Sequence, residues 1–433
     1  MSIISRYVVA QRDKRALRRP SEMEFAIADG IGYVNPAHWD KVTAAAGFFF
    51  ERNYLSVLET AGPDNLVPRY ALIYRDGVPV AALIMQLVRI EAARVRKEEA
   101  DTPTRNPAKR LIKHLSSPIE DHLNERVRQR VLVCGNLLSY GFHAAAFAPG
   151  IVPESVWPGI TEVLYRVRRA EKLSGQTNFV LIKDLTAPEL KSSQVLERFS
   201  YRAVETEPNM MLELDAKWKN HEAYLGSLAS KYRSAVKNQI LKPIEEAGCA
   251  LLVIDDVAAA GERLHQLYLD VHLNASLRPV TLPAGYWGAL KAAAGERLRV
   301  IALMRGEHML GFIACLKDGE LGVAYHIGFD RQASGELPVY LRLLHAAVDH
   351  LIAMGARRVS LGRTALEPKA RLGAKPQPMS VWMRHSQPLI NTVTKRLLGL
   401  VQHDEAPEAN PFKKEKAAAQ TKEAAGKSAA TMG

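Results

Sequence analysis

The segment Leu321–Phe329, LGVAYHIGF, combines small residues with one side chain that can carry a proton near neutral pH. If the segment is a strand, alternate side chains lie on opposite faces. One face then holds Leu321, Val323, Tyr325, Ile327 and Phe329, and the other holds Gly322, Ala324, His326 and Gly328. Because the second face is small apart from one imidazole, a ligand could reach the backbone there and His326 could act as general base. The alternative is a face covered by a neighbouring element, with His326 as a buried polar residue.

Two tyrosines and a loop extend this candidate site. Tyr325 and Tyr340 could return a proton to a leaving group, or could serve as packing residues beside a core strand. Residues 331–337 form a predicted loop before a helix, and such a turn can hold an anion on backbone N–H groups. The predicted anion-binding residues are Arg331, Gln332, Ser334, Gly335 and Glu336. An ordinary connection between strand and helix is the alternative.

Four basic residues in the second half of the chain could bind an anionic substrate or donor. They are Arg233, Lys237, Lys369 and Arg371. Charged residues are also usual on solvated helix surfaces, so each of the four has that alternative reading.

The elements that would position these residues occur twice in the chain. Residues 70–84 (YALIYRDGVPVAALI) and 300–315 (VIALMRGEHMLGFIAC) each predict two apolar strands around a turn. In both halves a strand, a loop, a helix and a last strand follow. The paired segments are strands 131–138 and 321–329, helices 154–173 and 339–354, and strands 178–185 and 357–361. This repetition predicts a tandem duplication of one α/β domain, with Asn136, Ser139 and His143 near the equivalent loop of the first half.

The length of 433 residues exceeds what one hydrophobic core usually supports, so we expect two domains. The predicted division is an N-terminal extension 1–30, a first domain 31–209 with a charged insertion near 90–130, a second domain 210–400 and a tail 401–433. The tail is rich in Ala, Lys and Glu, and its composition predicts disorder. We therefore expect that it can be removed without loss of folding or activity.

A net charge of +12 and a pI near 9.5 favour anionic partners, such as a phosphate-bearing cofactor, RNA or an acidic membrane surface. A well-solvated basic protein is the alternative. Cys134, Cys249 and Cys315 lie far apart without a CxxC pair, so we expect free thiols and no metal. Neither a secretory signal pattern nor an apolar stretch of 18 residues is present, which indicates a cytoplasmic protein.

Longer stretches resemble the FemAB-like branch of the GNAT acetyltransferase superfamily. Residues 224–248 (YLGSLASKYRSAVKNQILKPIEEAG) are similar to the helix that opens the second domain of FemAB-like proteins, and residues 362–382 (GRTALEPKARLGAKPQPMSVW) to the closing segment of those domains. In the first half, CGNLLSYG (134–141) and TNFVLIKDL (177–185) resemble tandem GNAT proteins linked to peptidoglycan-related acyl transfer. The resemblance, which spans about residues 33–400, implies an α/β fold of tandem GNAT-like domains with mixed sheets flanked by helices.

The resemblance implies an acyltransferase that uses an acyl thioester, with acyl-CoA as the expected donor, on an amine of a small molecule or cell-envelope precursor. In this reading the second half is catalytic, and Asn136 and Ser139 of the first half form walls of the substrate site. Two departures bear on the donor. The loop 331–336 reads RQASGE instead of the Q/R-x-x-G-x-G/A signature of ordinary GNAT enzymes, and no long helical hairpin of the kind that grips transfer RNA in Fem ligases is visible.

Two other functions stay open. One is a Fem-type transferase that uses aminoacyl-tRNA, which the basic pI favours and the missing hairpin disfavours. The other is a non-catalytic basic scaffold that binds nucleic acid or protein, although basic patches interleaved with aromatic residues are not evident.

Overall fold

The computed structural model describes residues 20–90, 129–275, 278–387, 391 and 409–413. Most of the predicted N-terminal extension, of the charged insertion and of the tail thus lies outside the described residues. Within these ranges no helix has both the length and the apolar character that crossing a bilayer requires.

The described strands, thirteen in number, form one mixed sheet that runs through both halves. The strands are β1 (Glu24–Ala28), β2 (Leu66–Arg75), β3 (Val78–Ile90), β4 (Gln129–Cys134), β5 (Ala145–Phe147), β6 (Thr177–Leu185), β7 (Arg202–Glu213), β8 (Cys249–Val253), β9 (Leu298–Arg305), β10 (His308–Asp318), β11 (Leu321–Phe329), β12 (Arg358–Ser360) and β13 (Lys375–His385). Their order is β1-β2-β3-β4-β6-β13-β7-β12-β11-β10-β9-β8, and β5 pairs with β3 beside this path.

Helices cover both sides of the sheet. They are α1 (Pro36–Thr43), α2 (Arg52–Thr60), α3 (Trp157–Ala170), α4 (Ala187–Ser192), α5 (His221–Ser227), α6 (Ser230–Val236), α7 (Lys242–Glu246), α8 (Gly261–His272), α9 (Tyr286–Ala294), α10 (Arg331–Glu336), α11 (Val339–Ala353) and α12 (Leu366–Arg371). A π-helical stretch, Lys237–Leu241, joins α6 to α7. Helix boundaries follow local signals, as where Asn35 caps α1 and Pro36 opens it.

The predicted repeat is present. In the first half the β2–β3 hairpin is followed by β4, α3 and β6, and in the second the β9–β10 hairpin is followed by β11, α11 and β12. Both hairpins turn at two-residue loops. In the first hairpin Asp76 and Gly77 both have positive φ, as a type I′ turn requires. The two parallel pairs of the sheet, β4–β6 and β11–β12, occupy equivalent places in the halves.

The halves exchange their last strands. β7 follows β6 along the chain but pairs with β12 of the second half, while β13 follows β12 but pairs with β6 of the first half. β7 and β13 pair with each other at the centre of the sheet. The strand Arg202–Glu213 therefore spans the predicted boundary at residue 209, and the halves form one continuous sheet.

Three apolar cores hold the helices to the sheet. One core lies under α1, α2, α8 and α9 and joins both halves, with Trp39, Tyr54, Trp287 and Tyr325 among its members. A second lies under α11 and a third under α3. Trp382 of β13 is buried in the third core, where its indole N–H donates to Ser193 Oγ at 2.7 Å. A strand from the end of the chain thus completes the core of the first half.

Two expectations about local structure are wrong. Residues 331–337 were expected as a loop, but Arg331–Glu336 is a helix whose N-terminus is capped by Asp330. Within the tail expected to be disordered, residues 409–413 pack against the second half: Phe412 bridges to Leu228, and the N–H of Ala229 donates to the carbonyl oxygen of Pro411 at 2.8 Å. The average composition of the tail does not reveal this short segment, which contains one large apolar residue, Phe412.

Candidate functional site

Strand β11 has an unpaired edge beyond residue 323. β12 pairs with it only at Leu321–Val323, whereas β10 pairs with it as far as Phe329. Along residues 324–329 the edge away from β10 has no strand partner among the described residues. Backbone N–H and C=O groups on such an edge can pair with an extended ligand. The opening lies between β11 and the chain that continues from β12.

The equivalent edge in the first half is absent. β4 pairs with β6 up to its last residue, Cys134, and the chain then leaves the sheet. It returns at Ala144, whose carbonyl oxygen accepts from Ile84, and continues as β5 beside β3. Residues 136–143, here called the excursion, therefore lie outside the sheet where β11 runs on without a break. Within the described residues, the open edge is therefore found in the second half and not in the first.

The excursion contacts the second half through Tyr140. Its ring lies against Gly362, where a Cβ atom would come within 3.1 Å of it. The charged groups of Lys183 and Arg363 lie 6.0 and 5.9 Å from the centre of that ring. The buried carboxylate of Asp184 pairs with both cations and accepts from the N–H of Gly141 at 3.2 Å. These contacts fix the excursion between the halves.

Lys369 carries an amine with an unusual pKa. The residue is 4% exposed, and burial lowers the pKa of its amine to about 7, against the opposing effect of Glu207. Glu207 also acts on Tyr140, and Tyr140 in turn acts on Tyr340. Burial raises the pKa of Tyr340 to about 12. Lys369 and Tyr140 thus both interact with Glu207, and Tyr140 also interacts with Tyr340.

The predicted alternation along β11 is wrong beyond Tyr325. The pairing with β10 shifts by one residue at Ala314 and Cys315, which is a β-bulge. Both Tyr325 and His326 consequently face the core under α8 and α9. A bulge inserts one residue, so every later side chain changes face, and the sequence of the strand carries no signal for it.

The room expected beside the backbone at Gly328 is also filled. A Cβ atom there would lie 2.6 Å from the backbone of Leu267 and Tyr268 in α8. His326 packs against the rings of Tyr268 and Trp287, at 5.9 and 5.7 Å between ring centres. Burial lowers the pKa of His326 to about 3, and its Nε2 has no hydrogen-bond partner among the described residues. An imidazole with this pKa is a weak base at neutral pH.

Tyr325 belongs to a buried polar network that joins the halves. Its hydroxyl contacts Tyr286 at 2.6 Å and Tyr54 at 3.4 Å. Asn136 of the excursion donates to Tyr54 at 2.8 Å and contacts Gln86. The structure therefore brings together two predicted site residues, Asn136 and Tyr325, through a tyrosine that sequence reasoning missed.

The other predicted residues lie elsewhere. Ser139 is buried and contacts His143 at 2.8 Å, and burial lowers the pKa of His143 to about 3. Arg233 donates to the nearby carbonyl of Leu228 at 3.4 Å, Lys237 is exposed, and Arg371 is exposed and paired with Glu367 on its own helix.

The predicted anion-binding residues form α10. Its N-terminus carries the carboxylate of Asp330, which accepts from Ala333 N–H at 3.0 Å, and Arg331 donates to Asn274 at 2.6 Å. A carboxylate at this position opposes a second anion. By contrast α11, the next helix, has fifteen residues and no side-chain cap at its N-terminus.

Sequence reasoning missed Tyr140, Lys183, Asp184 and Arg363. Each lies in a stretch that carries the family likeness: Tyr140 in CGNLLSYG, Lys183 and Asp184 in TNFVLIKDL, and Arg363 in GRTALEPKARLGA. The signal was therefore present, but three segments far apart along the chain had to be combined.

Among the described residues no group of three or more His, Cys, Asp or Glu side chains is arranged to hold a metal ion.

Comparison with known proteins gives a family match within the second half. A family model described as "Acetyltransferase (GNAT) domain" matches residues 230–370. The matched segment contains the open edge of β11. Because the first half repeats its order of strands and helix, the predicted tandem GNAT-like fold is confirmed. A comparison with curated protein sequences gave no match.

Solved structures with similar folds include a tandem GNAT protein from the clavulanic acid biosynthesis pathway, at 12% identity and a TM-score of 0.48, over 84% of this chain and 99% of that one. FemX is similar at 9% identity and a TM-score of 0.45, over 89% and 98%. A GCN5-related N-acetyltransferase from Sphaerobacter thermophilus is similar at 13% identity and a TM-score of 0.39, over 85% and 97%.

Proposed function

We propose that the protein is an N-acyltransferase whose second half takes the acyl group from an acyl thioester, with acyl-CoA as the expected donor. The single observation that supports this proposal best is the open edge at residues 324–329 of β11, inside the matched GNAT segment and without an equivalent in the first half. An extended donor arm can pair with such an edge as an added strand does. The first half then supplies the excursion as one wall of the site.

The phosphates of the donor are assigned to the start of α11 instead of α10. The helix is long enough to carry a dipole, and its first N–H groups have no side-chain cap. The capped N-terminus of α10 is unsuited to the same task because Asp330 already occupies it. This assignment moves the phosphate site by about one helix from the residues that the sequence suggested.

Lys369 is proposed as the general base, in place of His326. An amine with a pKa of about 7 is partly unprotonated at neutral pH, and a base close to the working pH is the most effective. It would take the proton of the acceptor amine as the new C–N bond forms and the C–S bond of the thioester breaks. The proton would then pass from Lys369 to the leaving thiolate. Tyr340 lies at the start of α11, beside the proposed phosphate site, and is assigned no proton transfer. The thioester supplies the activated carbonyl.

The acceptor is proposed to be an amine of a small molecule or cell-envelope precursor, and the reaction to take place in the cytoplasm. Support for a reducing compartment comes from three free cysteines, of which Cys134 and Cys315 are buried. Burial raises the pKa of Cys315 to about 12, so this thiol is unreactive.

Donor binding tests the proposal directly. Native mass spectrometry of freshly purified protein should find a co-purified CoA species, and calorimetric titration with acetyl-CoA and longer acyl-CoA thioesters should show saturable binding. CoA lacking its 3′-phosphate serves as a matched ligand for the phosphate contact. Protein that binds no CoA thioester but carries RNA, seen as a raised ratio of absorbance at 260 and 280 nm, would favour the aminoacyl-tRNA reading or the scaffold reading instead.

A further inference from the structure

A short segment near the end of the chain is attached to the second half. Residues 409–413, here called the C-terminal strap, run antiparallel to the chain around Leu228. The N–H of Ala229 donates to Pro411 at 2.8 Å, and the N–H of Lys413 donates to Ser227 at 3.0 Å. Pro411 is buried, while Lys413 is exposed. The strap is thus held by backbone hydrogen bonds as well as by side-chain packing.

Phe412 places its ring in a niche of fixed shape. The ring stacks on Trp218 with centres 5.4 Å apart and planes 28° apart, and Tyr224 contacts it edge-on at 6.5 Å. The third side of the niche is the backbone of Gly373, where a Cβ atom would collide with the ring. Gly373 has a φ of +95°, which favours glycine as well.

Gly373 lies two residues after the last residue of the helix that carries Lys369. α12 has only six residues and starts after Ala365, a residue with left-handed backbone. Its C-terminal end is closed by three bonds: Gly373 N–H to Ala370, Leu372 N–H to Lys369 at 3.1 Å, and Ala374 N–H to Lys369 at 3.2 Å. A fourth bond, from the Tyr224 hydroxyl to Leu372 at 2.9 Å, ties this end to α5.

We propose that the C-terminal strap positions Lys369 for catalysis, with Phe412 as a positioning residue that holds the end of α12 in place. The proposal rests on the proposed role of Lys369 as the base. A six-residue helix is too short to be stable by itself, so its geometry depends on what packs against it. The strap supplies a ring against Gly373, and Tyr224 supplies a hydrogen bond to the neighbouring Leu372. When the ring is removed, water reaches the end of α12 and the amine becomes better solvated.

The test measures the titration of Lys369 independently of turnover. In the full-length protein, competitive labelling with acetic anhydride at a series of pH values, read by peptide mass spectrometry, gives the labelling midpoint of the Lys369 amine. We expect Phe412→Ala to raise this midpoint by about one pH unit or more, because solvation favours the charged amine. Phe412→Leu should restore most of the original midpoint, and Lys413→Ala, which alters an exposed side chain of the same strap, should leave it unchanged.

Turnover of acyl transfer as a function of pH provides the second readout. The acidic limb of the profile, where turnover falls as the base becomes protonated, should move to higher pH together with the labelling midpoint in Phe412→Ala. A lower melting temperature with an unchanged labelling midpoint would overturn the proposal, since the strap would then be structural only. If the midpoint moves but Lys369→Met keeps full turnover, the strap positions Lys369 as proposed and the assignment of Lys369 as base is the part that fails.

Discussion

At the scale of single residues, the proposed base is a lysine, whereas the sequence pointed to a histidine. His326 satisfies the sequence criteria for a base but lies under α8, where burial lowers its pKa to about 3. Lys369 looks like one of several charged helix residues in the sequence, yet it is 4% exposed and its pKa is lowered to about 7. Perturbed pKa values of this kind cluster at functional sites.

Replacing Lys369 by Met should lower turnover at pH 7 about 100-fold or more, within the range typical for loss of a general base. The same change should also alter how the free energy of unfolding depends on pH. Because the folded-state pKa of about 7 lies below the ordinary value of 10.5, the unfolded chain binds more protons between these pH values. The free energy of unfolding of the wild type should therefore rise with pH from 7 to 10.5, by up to about 1.4 kcal/mol per pH unit.

Urea unfolding at several pH values measures this rise, which Lys369→Met should abolish. Arg371→Met, an exposed change on the same helix, is the matched control and should keep both the rise and the turnover. Equal turnover in Lys369→Met and wild type would rule out the assigned role.

The variant His326→Ala distinguishes a catalytic role of His326 from a role in packing only. We expect a lower melting temperature and nearly full activity per folded molecule, since the ring fills space between Tyr268 and Trp287. Thermal denaturation and turnover are measured on the same preparation. A loss of turnover of about 100-fold with unchanged donor binding would return the base role to His326.

At the scale of elements, helices α5 and α11 meet through two histidines in direct contact. His221 Nε2 and His345 Nδ1 are 3.0 Å apart, with Arg342 nearby on α11. Burial lowers the pKa of His221 to about 4 and that of His345 well below its ordinary value. Neither ring therefore carries a charge at neutral pH, and the contact depends on both staying neutral.

Acid should consequently weaken this contact. Both folded-state pKa values lie below the unfolded value of 6.5, so the unfolded chain binds more protons from pH 6.5 down to about 4. Stability is complete above pH 6.5 and falls as the pH decreases, by up to about 1.4 kcal/mol per pH unit for each histidine. Urea unfolding at pH 7, 6 and 5 should show that the free energy of unfolding falls less steeply with decreasing pH in His345→Gln than in the wild type. His308→Gln, at an exposed hairpin position, should keep the pH dependence of the wild type.

The elements themselves were largely predictable. β11 has the predicted bounds, and α11 ends within one residue of the prediction, because periodicity and turn residues are local properties. The bulge at Tyr325 and the excursion were not predictable, since each depends on what packs against the strand from elsewhere. The site was not predictable for the same reason, because Tyr140, Asp184 and Arg363 are brought together only by the tertiary structure.

At the scale of the whole molecule, the exchange of β7 and β13 makes the stability of each half depend on the other. Trp382 shows this most clearly, because it belongs to the second half along the chain and to the first half in space. Trp382→Ala should cost about 3–5 kcal/mol, as for other large aromatic residues in a core. Hydrogen exchange should show lost protection in β6 and α3, where the indole packs.

Trp287→Ala provides the matched change, since that indole is equally buried but lies in the core under α8 and α9. Its largest effect on exchange should fall in α8, α9 and β10. If Trp382→Ala reduced protection only after residue 214, the exchanged strand would contribute little to the first half.

The exchange also sets the order in which the chain can fold during synthesis. Ile182 of β6 pairs with Trp382, a residue that the ribosome adds 200 positions later. At about 5–20 residues per second, the nascent first half waits roughly 10–40 s with the edge of β6 uncovered. An uncovered strand edge invites pairing with other chains. Chaperone binding to ribosome-attached chains should therefore persist until β13 emerges, and the first half should mature only after the second has been made.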